Sequence, residues 1–158
     1  MQVDLDSYPQ LKIGDIAPEF TAVNQDGQKF NLHDTLQEFN KVLLIFYPGD
    51  DTPGCTKQLC GVRDVYQLYS KLGVKVVGVN HGSSQSHKKF ITKYNFPFDI
   101  IVDEGKTIRD SYGAVKLFFK NLTVKRGVFL INSDSKIEYM FWGQQDNSVI
   151  IEMIKNKK

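Results

Sequence analysis

The chain has 158 residues, 41% hydrophobic and 24% charged, with a formal net charge of +2. That length suits one domain, 1–158, with a substantial core. The charge is too small to point to nucleic acid, and no apolar run approaches the ~20 residues of a membrane span. In chain order, Pro18–Leu32 reads as a β-hairpin around the Asp26-Gly27 turn. His33–Phe39 follows as a short irregular or helical link, and Val42–Tyr47 is an apolar run typical of a buried strand. Leu59, Val62, Tyr66 and Tyr69 recur at helical spacing, which predicts a helix from about Cys55 to Leu72-Gly73. Further strands are predicted over Val74–Val79 and Phe98–Val102, separated by a helix over Ser83–Tyr94. A short helix over Lys106–Tyr112 stops at Gly113, and Val115–Lys125 reads as a loop or a ragged strand. Strands over Gly127–Ile131 and Lys136–Trp142 flank a turn, and Ser148–Lys157 closes the chain as a helix. Strands alternating with helices imply a layered α/β domain.

The N-terminal MQVDLDSYPQ has no basic segment leading into an apolar one, so no secretory signal is visible and a cytoplasmic location is expected. The basic end, Lys155-Asn156-Lys157-Lys158, reads as a solvated helix terminus that complements its own dipole. In a reducing compartment, Cys55 and Cys60 are expected to be free or redox-active. There is no Cys-x-x-Cys, and His33, His81 and His87 show no ligand spacing with the cysteines, so no metal site is expected.

The chain is organised around Phe46–Asp64, FYPGDDTPGCTKQLCGVRD. A strand ends here, Pro48 to Gly54 form a loop, and both cysteines follow at the start of the predicted helix. A cysteine at a helix N-terminus meets free backbone N–H groups and the positive end of the helix dipole, which favour the thiolate. Ionisation alone does not make a fast nucleophile. Lowering a thiol pKa from ~8.5 to ~6 raises the thiolate fraction roughly thirtyfold at pH 7. The accompanying fall in nucleophilicity, with a Brønsted slope of ~0.4–0.5, returns roughly tenfold of that. Donors aimed at the reacting atoms must supply the rest.

Pro48-x-x-x-Thr52-x-x-Cys55 resembles the peroxiredoxin active-site pattern, and DDTPGCT-x-x-x-C-G-x-RD is similar to the peroxiredoxin Q, or bacterioferritin-comigratory, subfamily. The similarity runs from about Pro18 to about Trp142. It implies a thioredoxin-like fold: a central mixed β-sheet flanked by helices, with an N-terminal β-hairpin. It also implies a monomeric thiol-dependent peroxidase acting on hydrogen peroxide and organic hydroperoxides, with no cofactor. Cys55 is then the peroxidatic nucleophile and Cys60 the resolving cysteine of an intramolecular disulfide, recycled by thioredoxin or a similar dithiol. Thr52, Arg126 and the backbone N–H groups of Gly54 and Cys55 bind the peroxide, while Pro48 shields the sulfur. On a continuous helix, Cα atoms five positions apart are separated by roughly 8.7 Å. A disulfide seldom spans more than ~7 Å, so the helix must open for the bridge to close.

Three positions depart from the common pattern of the subfamily: Gln58 stands for a glutamate, Asn80-His81 for a serine, and Val128 for a threonine or serine that would support Arg126. Asp50-Asp51 read as solvated turn residues and Arg63-Asp64 as structural. Rival readings are a peroxide-sensing switch or holdase-like module that uses the same disulfide, and a purely structural thioredoxin-like domain. Stoichiometric oxidation without turnover marks the first, and unreactive thiols mark the second.

Overall fold

The structure is a computed structural model that describes residues 4–144 and 146–156. Fifteen principal elements follow in order: β1 (Thr21–Asn24), β2 (Lys29–Asn31), α1 (Leu32–Glu38), β3 (Lys41–Phe46), α2 (Pro53–Asp64), α3 (Tyr66–Lys71), β4 (Val74–Asn80) and α4 (Ser84–Tyr94). Then come β5 (Asp99–Val102), α5 (Thr107–Ser111), β6 (Val115–Phe118), β7 (Asn121–Val124), β8 (Gly127–Asn132), β9 (Ile137–Trp142) and α6 (Asn147–Asn156). The end predicted for the last helix, Lys157, lies outside the described residues.

Seven strands form one mixed sheet in the order β2-β1-β5-β4-β3-β8-β9. Strands β3, β4 and β5 run parallel, and β8 pairs antiparallel with β3. The predicted hairpin is present as β1 and β2, and joins the sheet edge through Val23 opposite Val102. The central strands are apolar throughout because both of their faces are covered. Leu43, Ile45 and Tyr47 face a core that includes Leu59, Val62, Phe90 and Ile150. Val42, Leu44 and Phe46 face a second core with Leu36, Ile108 and Phe129. The alternation is the two-residue period of a strand, so β3 holds the two layers together.

Three segments are settled or changed by the structure. The link after the hairpin, expected as irregular or helical, is helical: the Asn31 side chain accepts from Asp34 N–H and caps α1. The long helix predicted from Cys55 is two helices. It starts earlier, with Pro53 in its first turn, and breaks at Val65, whose φ of −117° and ψ of 15° leave the helical region. Val62 and Tyr69 stay on the same buried side across the break, which is why the periodicity conceals it. The segment after α5 is a separate two-stranded hairpin, with Val115 opposite Val124 and Phe118 opposite Asn121. Its tip exposes Phe118 and Phe119, which contact each other edge to face.

Candidate active site

β3 ends at Phe46, the chain turns through residues 47–52, and α2 begins at Pro53. Thr52 is the N-cap in extended conformation, and its side chain does not cap the helix. Pro53 has no N–H to satisfy. The N–H groups of Gly54 and Cys55 belong to the first turn, which has no intrahelical acceptors for them. Two donors therefore stand free at the helix entrance, beside the cysteine.

Cys55 is fully buried, and its thiol is not in a disulfide. The antiparallel pairing of Phe46 with Gly127 brings the start of β8 next to the end of β3. Arg126 is thereby delivered across 71 residues of sequence, and its Nη2 donates to Cys55 Sγ at 3.3 Å. Its Nη1 donates to Gln58 Oε1 at 2.5 Å. Gly54 makes room for the guanidinium: a Cβ there would lie 3.1 Å from Arg126 Nη2.

Gln58, one of the departures from the subfamily pattern, is thus the residue that aims Arg126. An amide carbonyl accepts this bond without setting a second negative charge near the sulfur. Val128, where a hydroxyl was looked for, is 5% exposed and belongs to the core. The orienting role sits on α2 instead of β8.

Thr52 Oγ1 donates to Gly49 C=O at 3.2 Å. Its proton is committed there, so what it presents toward a peroxide is an acceptor lone pair. Pro48 and Arg126 share a cavity of about 360 Å³ with Lys116, Phe118, Thr123 and Val124. The β6–β7 hairpin therefore walls the Pro48 and Arg126 side of the site. Sequence reading missed it, although the run Leu117-Phe118-Phe119 between lysines was an apolar signal with no assigned place in the core.

The structure corrects the reading of Asp50 as a solvated turn residue. Its side chain is only 7% exposed. Tyr47 Oη donates to its Oδ1 at 2.7 Å, and Ser86 Oγ and His87 Nδ1 each lie 2.6 Å from its Oδ2. Burial by itself would raise this carboxyl, but the bonds from His87, Ser86 and Tyr47 outweigh it and hold it below the ordinary value of 3.8. Tyr47 moves the opposite way, well above its ordinary value, through burial first and the Asp50 charge second. Asp51 is exposed yet engaged, with Lys93 Nζ and Tyr94 Oη each at 2.7 Å. Cys60, half-buried, lies on the same α2 as Cys55 and is unbridged. Among the described residues no cluster of three or more His, Cys, Asp or Glu side chains is placed to hold a metal ion.

A buried cysteine at a helix N-terminus, two free backbone donors and a guanidinium aimed at the sulfur form a site for a nucleophile that breaks a weak, polarisable bond whose departing atom takes up negative charge. Comparisons with known proteins agree. Residues 13–140 match the AhpC/TSA family. The chain is 39% identical over 131 residues to a peroxiredoxin bcp of Coxiella burnetii, covering 80% of this chain and 85% of that protein. It is 37% identical to the chloroplastic peroxiredoxin Q of Triticum aestivum over 83% of its own length, and spans 59% of that longer protein. Among solved structures, peroxidoxin BcpB of Mycobacterium tuberculosis superposes with a TM-score of 0.86 at 25% identity, over 94% of this chain and 99% of that one. The bacterioferritin comigratory protein of Xanthomonas campestris, whose alkyl peroxide reduction has been studied structurally, superposes with a TM-score of 0.79 at 20% identity, over 92% of this chain and 96% of that one. The mixed sheet flanked by helices is thus the thioredoxin-like fold of those proteins, and the chain belongs to the AhpC/TSA family as a thiol-dependent peroxidase of the peroxiredoxin Q and bacterioferritin-comigratory type.

Proposed function

We propose that Cys55 and Cys60 run a two-step peroxidase cycle on hydrogen peroxide and small organic hydroperoxides, with thioredoxin or a similar dithiol as reductant. The Cys55 thiolate attacks one peroxide oxygen. The S–O bond forms as the O–O bond breaks, and the departing oxygen leaves as water or alcohol once it takes a proton. Arg126 and the N–H groups of Gly54 and Cys55 supply donors where charge accumulates on the breaking bond. Thr52 accepts from the peroxide O–H and orients it, and Pro48 limits water at the sulfur. The Cys60 thiol then attacks the Cys55 sulfenic sulfur, forming the disulfide and releasing water. The external dithiol reduces that disulfide and closes the cycle.

The observation that carries this reading is the Arg126 guanidinium 3.3 Å from the sulfur of a buried, unbridged Cys55. The absence of Cys-x-x-Cys separates it from a dithiol reductase. The cycle is proposed for a monomer in a reducing cytoplasm, where both thiols are kept free between turnovers. The test is peroxide consumption coupled to thioredoxin, its reductase and NADPH. Many turnovers per chain are expected. Oxidation that stops after one equivalent with the full reducing system present would replace the enzyme with a peroxide-sensing switch.

A further inference from the structure

Helix α4 holds both ends of the segment that carries the two cysteines. Before α2, Asp50 is bound to Ser86 and His87 on the first turns of α4. Asp51 reaches Lys93 and Tyr94 at its far end. After the cysteines, Arg63 Nη1 donates to the backbone carbonyl of Tyr94 at 2.8 Å. The stretch between these anchors, residues 52–62, contains Cys55, Cys60 and every peroxide-binding group except Arg126 and Pro48.

The buried anchor is built with care. His87 is fully buried. Its Nδ1 meets the Asp50 carboxylate and its Nε2 lies 3.1 Å from the Asn80 carbonyl. Both ring nitrogens are therefore engaged, one on the loop before α2 and one on the end of β4. Asn80, another departure from the subfamily pattern, also donates from Nδ2 to the Tyr47 carbonyl at 2.8 Å, and its Oδ1 accepts from Gly82 N–H. The loop is therefore fixed by backbone and side chain on either side of Pro48. Asp51 itself has a φ of +56°, a left-handed conformation that a non-glycine residue keeps only when its surroundings enforce it.

We infer that Asp50 and His87 are positioning residues of the peroxidase: with α4 they clamp the loop that presents Pro48 and Thr52, favouring the closed helix that meets peroxide over the open segment that forms the disulfide. This rests on the two-cysteine cycle proposed above. A fixed loop leaves Cys55 a short leash, running only from residue 51. Release of Asp50 removes the buried anchor, leaving the loop held by the exposed Asp51 contacts and the Asn80–Tyr47 bond, which slackens that leash and loosens the groups around the peroxide. The two chemical steps must then respond in opposite directions, which a simple loss of stability would not produce.

The experiment follows the two steps separately in the full-length chain by rapid quenching, with sulfenic acid trapped by a dione reagent and the disulfide counted by thiol alkylation and mass. Asp50→Ala is expected to slow Cys55 oxidation at least fivefold and to accelerate disulfide closure at least twofold. Asp50→Asn is expected to keep both rates within twofold, because its amide has the same size as the carboxylate and can still hydrogen-bond Tyr47, Ser86 and His87. Both rates unchanged in Asp50→Ala, both slowed alike, or Asp50→Asn behaving as Asp50→Ala would each overturn the clamp. If Asp50→Ala does not fold, the exposed Asp51→Ala takes its place, with the same opposed shifts expected and a uniform response overturning the inference. Wild-type Cys55 that does not react with peroxide would instead refute the peroxidase cycle itself, and shows in the control before any variant is compared.

Discussion

Cys55 and Cys60 lie on one unbroken helix, Pro53–Asp64, so the disulfide proposed above can form only if that helix opens. Helix geometry sets their Cα atoms roughly 8.7 Å apart and about 140° apart around the axis. Opening the first turns withdraws Leu59, fully buried, and Cys55, also fully buried, from the core. Exposing a leucine costs about 2 kcal/mol and a smaller sulfur side chain about half as much. The bonds from Arg126 to Cys55 and Gln58 contribute about 1 kcal/mol more between them after exchange with water. An isolated helix this short is close to balanced between coil and helix, so the backbone adds little either way. The open form of the reduced protein therefore lies roughly 4 kcal/mol uphill, a population of about one in a thousand. The disulfide makes that form obligatory. Hydrogen exchange read by mass spectrometry over residues 54–64 should accelerate by about 10²–10³ on oxidation. Exchange that is the same in the reduced and disulfide forms would refute the reasoning. So would full thioredoxin-dependent turnover in Cys60→Ser, which is expected to reduce one equivalent of peroxide and then accumulate the sulfenic acid.

Cys55→Ser is expected to abolish turnover, since a hydroxyl of far higher pKa supplies no nucleophile at neutral pH; more than a few per cent of residual activity would reject Cys55 as the attacking group. Arg126→Ala is expected to lower the second-order rate with peroxide by ~10²–10³, the usual loss for one positioned donor, and a stopped-flow rate near wild type would assign the role to another cation. The Asp50 carboxyl, held below its ordinary 3.8 in the fold, stabilises the native state above about pH 4, and that contribution disappears as pH falls through the lower folded value. Denaturant titrations at a series of acidic pH values should therefore show a steeper fall in stability for wild type than for Asp50→Asn; parallel curves would contradict the assignment.

Much of this was legible in the sequence because the signals were local. β3, β4, α4 and β8 were readable from apolar runs and flanking turn residues, and the loop-to-helix transition at Cys55 from its prolines and glycines. The break at Val65 was not readable, because the apolar period runs on through it. The β6–β7 hairpin was not readable either, since a two-stranded ribbon outside the main sheet buries little and carries a weak pattern. In the site, Cys55 and Arg126 were named from the sequence, and the fold brings them together. Gln58 was noticed only as an unusual residue, since its partner is 68 positions away. Asp50 was misjudged for the same reason: a carboxylate in a turn is normally solvated, and only the tertiary approach of His87, 37 residues on, takes it out of water.

The pairing of Phe46 with Gly127 has a further consequence, in the order of folding. The thiol and its guanidinium meet only after two distant parts of the chain have closed into adjacent strands, a non-local step that is entropically slow. Until then Cys55 has neither Arg126 nor a buried setting and reacts as an ordinary thiol. A chain still emerging from the ribosome, or transiently unfolded, is thereby kept from rapid oxidation, and peroxide reactivity becomes a reporter of completed folding. In a refolding experiment, the fast reaction with peroxide should appear together with native β3–β8 protection and not with the earlier formation of helix.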